Sequence, residues 1–256
     1  MNFSVLDWNI QGKKYYTKTS LKKIKPVLEK SEANIICLQE GREVVDRIKD
    51  FTELQKFNYV FSPEDADGTN VIISRFPIVS SGTIIPPSFL NKLSGKALWA
   101  DIKINGLIIK IYNCHFGITG LGPRERAAAL KYILADAGKY SMPIIICGDL
   151  NTTIPAAGFK RKIVQWFHKE IDESMETGGD NPHHDERHYL LDLIKQEKFR
   201  EVTDSSQSTW VISPLNWEIF SLKLDWFMVH DLETTNVVLG KYISDHRSIF
   251  AQCTIN

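Results

Sequence analysis

Six times along this chain a strand-like apolar run ends in a short polar motif. The motifs are Asp7-Trp8-Asn9, Gln39-Glu40, Asn113-Cys114-His115, Gly148-Asp149-Leu150-Asn151, Leu224-Asp225-Trp226 and Ser244-Asp245-His246. Such a pattern favours folds whose strand ends gather at one edge, where side chains from distant sequence meet on a rigid frame. The last motif tightens the constraint. An Asp and a His at adjacent positions point to opposite faces of a strand, so Asp245 and His246 converge on one small volume only in a turn. A carboxylate beside an imidazole suits a site that holds a cation and moves a proton.

Strand-like runs continue through the whole length: 3–8, 34–38, 59–62, 70–74, 78–85, 143–147, 224–229, 233–239 and 249–253. Two more, 97–104 and 107–114, flank Asn105-Gly106, whose tolerance of positive φ predicts a hairpin turn. Helical spacing is expected over Leu21 to Leu28, with Pro26 at a first turn or kink, and over Val44 to Leu54. Further helices are expected after Pro123, over Phe159 to Phe167, and around Leu190 to Ile194. No linker or composition break divides the chain. The expectation is one α/β domain over residues 1–256, with sheets packed together and helices covering them.

Net charge is zero, from 31 basic and 31 acidic residues. That argues against a general nucleic-acid coat protein but not against an enzyme that grips a few phosphates. No stretch approaches the ~18–20 apolar residues needed to cross a bilayer, so no transmembrane segment is expected. Met1 to Ile10 looks like strand rather than a leader. The four cysteines lie at apolar runs without a C-x-x-C pair, which points to buried thiols and a reducing, cytoplasmic setting. The strand-end donors are carboxylates, amides and imidazoles, a set suited to Mg²⁺ or Mn²⁺ rather than to structural zinc.

Seven segments in order, "DWNIQG", "ICLQE", "GTNVIISRFPI", "YNCHFG", "CGDLN", "LKLDWF" and "SDHRS", cover nearly the whole chain. This series resembles the endonuclease/exonuclease/phosphatase family, which includes DNase I, AP endonucleases, neutral sphingomyelinases and inositol polyphosphate 5-phosphatases. The resemblance implies a four-layered α/β/β/α sandwich of two mixed sheets and a metal-dependent phosphoester hydrolase. It also implies roles. Glu40 becomes the principal Mg²⁺ ligand, with Asn9 and Asp245 near the metal. Asp149 orients or deprotonates the attacking water, and Asn151 hydrogen-bonds the phosphoryl oxygens. His246 faces the scissile phosphate with Asp225 behind it, and His115 donates to a phosphate or leaving-group oxygen.

Some positions depart from the AP endonucleases. Gln11 stands where those enzymes carry an acid, His115 where they place a Tyr, and TTIPAAG follows the "GDLN" motif. The segment "HFGITGLGPRERAAAL" is instead similar to a bacterial subgroup with "HLG…PRER" after the histidine. There Arg124 and Arg126 are expected at a helix start, where guanidinium groups either meet a phosphate or form a solvated first turn. Asn70, in "GTNVIISRFPI", is a further candidate substrate contact in a largely structural motif. Outside these motifs stand the cluster His183, His184, Asp185 and His188, basic residues Lys13 to Lys25, and Trp210, Trp217 and Phe220 in a polar region read as packing. The expected activity is Mg²⁺-dependent phosphodiester or phosphomonoester hydrolysis by a monomer. The substrate is a small molecule, a lipid-derived phosphoester or a nucleic acid, and a catalytically silent binding module is the remote alternative.

Overall fold

The structure is a computed structural model and describes residues 1–11, 21–64, 68–87, 95–117, 123–152, 186–203, 207–212 and 217–255. The first sheet contains β1 (Asn2–Asn9), β2 (Ile35–Gln39), β3 (Asn58–Phe61), β4 (Val71–Ser74), β13 (Glu233–Leu239) and β14 (Ile249–Thr254), in the order β13-β14-β1-β2-β4-β3. The second contains β5 (Ile78–Ile84), β6 (Gly95–Ile104), β7 (Leu107–Phe116), β8 (Ile144–Asp149), β9 (Arg200–Glu201) and β12 (Asp225–His230), in the order β5-β6-β7-β8-β12-β9. A separate hairpin pairs β10 (Trp210–Ile212) with β11 (Trp217–Leu222). Both large sheets are mixed: β1 runs parallel to β2 and β7 parallel to β8, whereas the other named pairings are antiparallel.

Three apolar clusters define four layers. Val5, Ile35, Cys37 and Ile72 of the first sheet meet Leu98, Ile111, Cys147 and Phe227 of the second in the central layer. Helices α1 (Leu21–Lys30) and α2 (Arg42–Asp46) cover the first sheet, burying Leu21, Ile24, Leu28 and Val44 against Trp8 and Ile36. Helices α3 (Pro123–Ala137) and α4 (Glu186–Gln196) cover the second, with Leu130, Ile133, Leu190 and Ile194 against Tyr112 and Trp226. The result is the α/β/β/α sandwich. It follows from strands such as β8, whose residues 144–147 are apolar on both faces and fully buried. The four cysteines are free and buried. Among the described residues no helix is long and apolar enough to cross a membrane.

The hairpin between β6 and β7 turns on Asn105 and Gly106, both at positive φ. In β8, Gly148 sits at φ +126, and an added Cβ would lie 2.0 Å from the Cys114 carbonyl. Only glycine allows β7 and β8 to approach so closely where His115 and Asp149 stand side by side.

The helix expected over Val44 to Leu54 is broken. After α2 the chain makes two 3-10 turns, Ile48–Asp50 and Leu54–Lys56. Val44, Ile48, Phe51 and Leu54 are buried all the same. Their spacing of three and four residues is served by successive short turns as well as by one helix. Pro26 lies inside α1. The expected helix over 159–167 and the cluster His183, His184 and Asp185 lie outside the described residues.

Candidate active site

Three neighbouring strands of the second sheet deliver one row of side chains. His115 is the register partner of Asp149 across β7 and β8, and Asp149 is the partner of Asp225 across β8 and β12. The first sheet supplies the opposing residues: Asn9 at the end of β1, and Ser244, Asp245 and His246 in the turn before β14, the strand beside β1. Ser244 ties these together. Its Oγ donates to the Asn9 carbonyl (2.8 Å) and accepts from the His246 backbone N–H (3.0 Å) and the Trp8 indole N–H (3.1 Å).

Where the two sets meet, polar side chains are buried and closely organised. Both Asp225 carboxylate oxygens lie within hydrogen-bond range of His246 Nδ1, Oδ2 at 2.9 Å and Oδ1 at 3.1 Å. On the other side of the ring, His246 Nε2 is 3.7 Å from Asp149 Oδ2, and His115 Nε2 is 3.8 Å from the same oxygen. Those gaps exceed direct hydrogen bonds. Asp149 itself is fixed: Oδ2 accepts from Asn9 Nδ2 (2.9 Å) and Oδ1 from the Asn151 backbone N–H (2.8 Å). Asn9 Oδ1 accepts from the Gln11 N–H at 2.9 Å.

Burial disfavours the charged form of His246, but Asp225, Asp149 and Asp245 around it override that and raise its pKa to about 10. Asp149 is pushed up to about 6, chiefly by burial and in part by Asp225, while His246, Asn9 and the Asn151 N–H pull it down. Near neutral pH the frame therefore combines a cationic imidazole with an ionised Asp149.

Asp149, Asp225 and His246 also form the one group of metal-capable residues found among the described residues, with ligand atoms within 4.8 Å of one another. Asp225 is already committed to His246 Nδ1, so this trio is better described as a charge-compensated hydrogen-bonded set than as a cage for a dication. Asp245 differs. Its Oδ2 accepts from the Trp210 indole N–H at 3.0 Å, while Oδ1 is buried, has no hydrogen-bond partner and lies 3.9 Å from His246 Nε2. A solvent-excluded carboxylate oxygen without a donor fits an oxygen-seeking cation.

Glu40 stands one residue beyond β2, partly exposed, with φ +55. It is not part of the trio. Asn151 shares this left-handed backbone (φ +52), and its Nδ2 donates to the Phe116 carbonyl. Non-glycine residues held at positive φ carry strain that concentrates at functional sites.

Two candidate substrate contacts lie deep in the protein. Arg126 is 1% exposed on α3. Asn70 is wholly buried and donates to the Asn113 carbonyl (2.9 Å), joining the first sheet to the second. Beneath the site, Gln39 Nε2 donates to Asp7 Oδ1 (2.8 Å) and Asn113 Oδ1 (2.7 Å), while Asn113 Nδ2 donates to the Leu38 and Val71 carbonyls. Burial, with Asp225 and Asp149 nearby, raises the Asp7 pKa well above the carboxylate range.

Thr209 and Trp210 are the site residues that sequence reading missed. Thr209 Oγ1 accepts from the Leu224 and Asp225 N–H groups (3.0 Å each), and Trp210 bridges to His246 as well as holding Asp245. Strand β10, which Trp210 opens and Thr209 precedes, is three residues long and carries no periodic pattern. The local signal is a Trp beside Val211 and Ile212, a run too short to mark a strand.

Solved structures align over almost the entire chain. The human Nocturnin catalytic domain with bound sulfate anion is 16% identical with TM-score 0.68, covering 100% of this chain and 95% of that one. D. rerio TDP2 complexed with single strand DNA product is 13% identical with TM-score 0.69, covering 99% of each chain. A Bacteroides thetaiotaomicron endonuclease/exonuclease/phosphatase family protein is 13% identical with TM-score 0.68, covering 100% of this chain and 98% of that one. These likenesses carry the fold. No curated protein matches the sequence. Residues 8–246, from the first strand-end motif to the last, match the profile of the Endonuclease/Exonuclease/phosphatase family. The chain belongs to that family of phosphoester-hydrolysing enzymes.

Proposed function

We propose that this protein hydrolyses a phosphoester by in-line attack of water, with Mg²⁺ as its cofactor and Mn²⁺ as a working substitute. The observation that carries this reading is the placement of Asp149 Oδ2 between two imidazoles, 3.7 Å from His246 Nε2 and 3.8 Å from His115 Nε2. A water or phosphoryl oxygen placed beside such a pair, at the apex of a triangle, lies within hydrogen-bond reach of both groups.

Phosphoryl transfer builds negative charge on the equatorial and leaving oxygens, so fixed positive charge lowers the barrier. His246 supplies it, kept cationic and oriented by Asp225. Asp149 receives the water proton, its carboxylate held by Asn9 and the Asn151 N–H. The second amide hydrogen of Asn151 meets a phosphoryl oxygen, and His115 donates to a phosphate or leaving-group oxygen. Glu40, Asn9 and Asp245 are the residues that would hold the dication. When bound, it adds positive charge at the phosphoryl oxygens.

The test is hydrolysis of bis-p-nitrophenyl phosphate, p-nitrophenyl phosphate, plasmid DNA and sphingomyelin, each with Mg²⁺ and with chelator. The reading expects turnover of at least one substrate, abolished by chelation. Turnover that survives chelation contradicts the metal assignment, and plasmid cleavage alone makes the protein a nuclease.

A further inference from the structure

The hairpin strand β10 is docked on the turn that carries Asp245 and His246, not on either large sheet. Val211 N–H donates to the Asp245 carbonyl (3.0 Å), Arg247 N–H donates to the Thr209 carbonyl (2.7 Å), and Trp210 bridges to His246. Thr209 and Val211 are wholly buried, so the backbone on both sides of Trp210 is fixed. Trp210 has one polar atom, its indole N–H, and that atom donates to Asp245 Oδ2 at 3.0 Å.

This contact has a geometric consequence. An aspartate's terminal torsion is broad and two-fold, so an untethered carboxylate samples many orientations. One hydrogen bond to Oδ2 removes that freedom. The other oxygen, Oδ1, then faces the site, buried, without a hydrogen-bond donor and 3.9 Å from His246 Nε2.

We infer that Trp210 is a positioning residue for the cation site: its indole N–H holds Asp245 by one oxygen so that the other is presented to the dication. This rests on the proposed metal-dependent reading. Groups that orient a metal ligand from behind change metal affinity by roughly 10–100-fold when removed, and Trp210 belongs to that class although no motif marks it.

The test is calorimetric Mn²⁺ binding to the 256-residue protein without substrate, using wild type, Trp210→Phe, Asp245→Asn and the double variant. Trp210→Phe keeps an aromatic ring and deletes the N–H, and its dissociation constant should rise about 10-fold. The double variant should bind no more weakly than Asp245→Asn alone, because Trp210 acts through that carboxylate. Benzothienylalanine at position 210 matches the shape of tryptophan and lacks the donor, and it gives the same measurement should the Phe variant fail to fold. Unchanged Mn²⁺ affinity in a folded donor-less variant overturns the inference and leaves the metal-dependent reading standing. A full additional loss in the double variant also overturns it. Absence of Mn²⁺ binding by wild type overturns both.

Discussion

His246 Nδ1 lies 2.9 Å from Asp225 Oδ2, and the two residues come from different sheets, Asp225 from the start of β12 and His246 from the turn before β14. The pair is therefore a product of sheet-on-sheet packing. Its geometry depends on the apolar layer beneath it, where Cys37 and Ile72 meet Cys147 and Phe227. A shift of one sheet against the other would separate the imidazole from its carboxylate, so the rigid core is part of the catalytic frame.

Removing the charge at Glu40 tests the metal assignment. Glu40→Gln keeps the side-chain length and weakens the ligand, so Mn²⁺ affinity should fall at least ~10-fold and metal-dependent turnover should nearly vanish. Calorimetry measures the first and an initial-rate assay the second. Equal Mn²⁺ binding by wild type and variant would remove Glu40 from the site.

Asp7 provides a pH test of the frame under the site. Its folded pKa is raised well above 3.8, first by burial and then by Asp225 and Asp149. A raised acid contributes stability that is complete below its unfolded value and is lost as pH rises through the folded one. Asp7→Asn keeps the shape and cannot ionise, so its melting temperature relative to wild type should climb as pH rises above the unfolded carboxylate value of about 4. Thermal melts at several pH values measure this. A constant difference would mean Asp7 does not titrate there.

Chain organisation gives a third prediction. We propose that residues 1–256 fold as one unit, because β1, near the start, pairs with both β2 and β14. Deleting everything from residue 225 onward removes β12, β13 and β14 and leaves β1 and β8 each without one neighbour. Cooperative unfolding by circular dichroism should be lost. A stable, cooperatively melting 1–170 fragment would argue for two units instead.

The sequence made most large-sheet strands legible, because runs such as Ile144 to Cys147 are apolar on both faces and have no other way to be buried. Asn9, His115, Asp149 and Asn151 were legible for a related reason: a polar side chain at the end of a buried run stands at the rim of a sheet. Asp225 instead opens β12, and Asp245 and His246 lie in the turn before β14, so these three were legible only through the series of motifs. Trp210 and Thr209 were not legible, since their partners lie 35 and 15–16 residues away and the contacts exist only after folding. Asn70 and Arg126 are as deeply buried as Asp149 and Asn151, a placement their sequence surroundings do not reveal. The bond from Asn70 to the Asn113 carbonyl of the opposite sheet likewise exists only after folding.

The pH dependence of turnover, compared between wild type and Asp225→Asn with Mg²⁺ saturating, tests the central claim most directly. Asp149 must be ionised and His246 protonated. The metal-free values of about 6 and about 10 predict a bell that is centred somewhat above neutrality. A nearby dication favours the Asp149 carboxylate and moves the acid limb lower. The limbs belong to the coupled site rather than to single residues. In Asp225→Asn the imidazolium loses its partner. Turnover should drop on the order of 10²–10⁴-fold, and the alkaline limb should move down by about one pH unit or more. An alkaline limb that stays in place in Asp225→Asn would contradict the account, because His246 would then not be the cation that faces the phosphate.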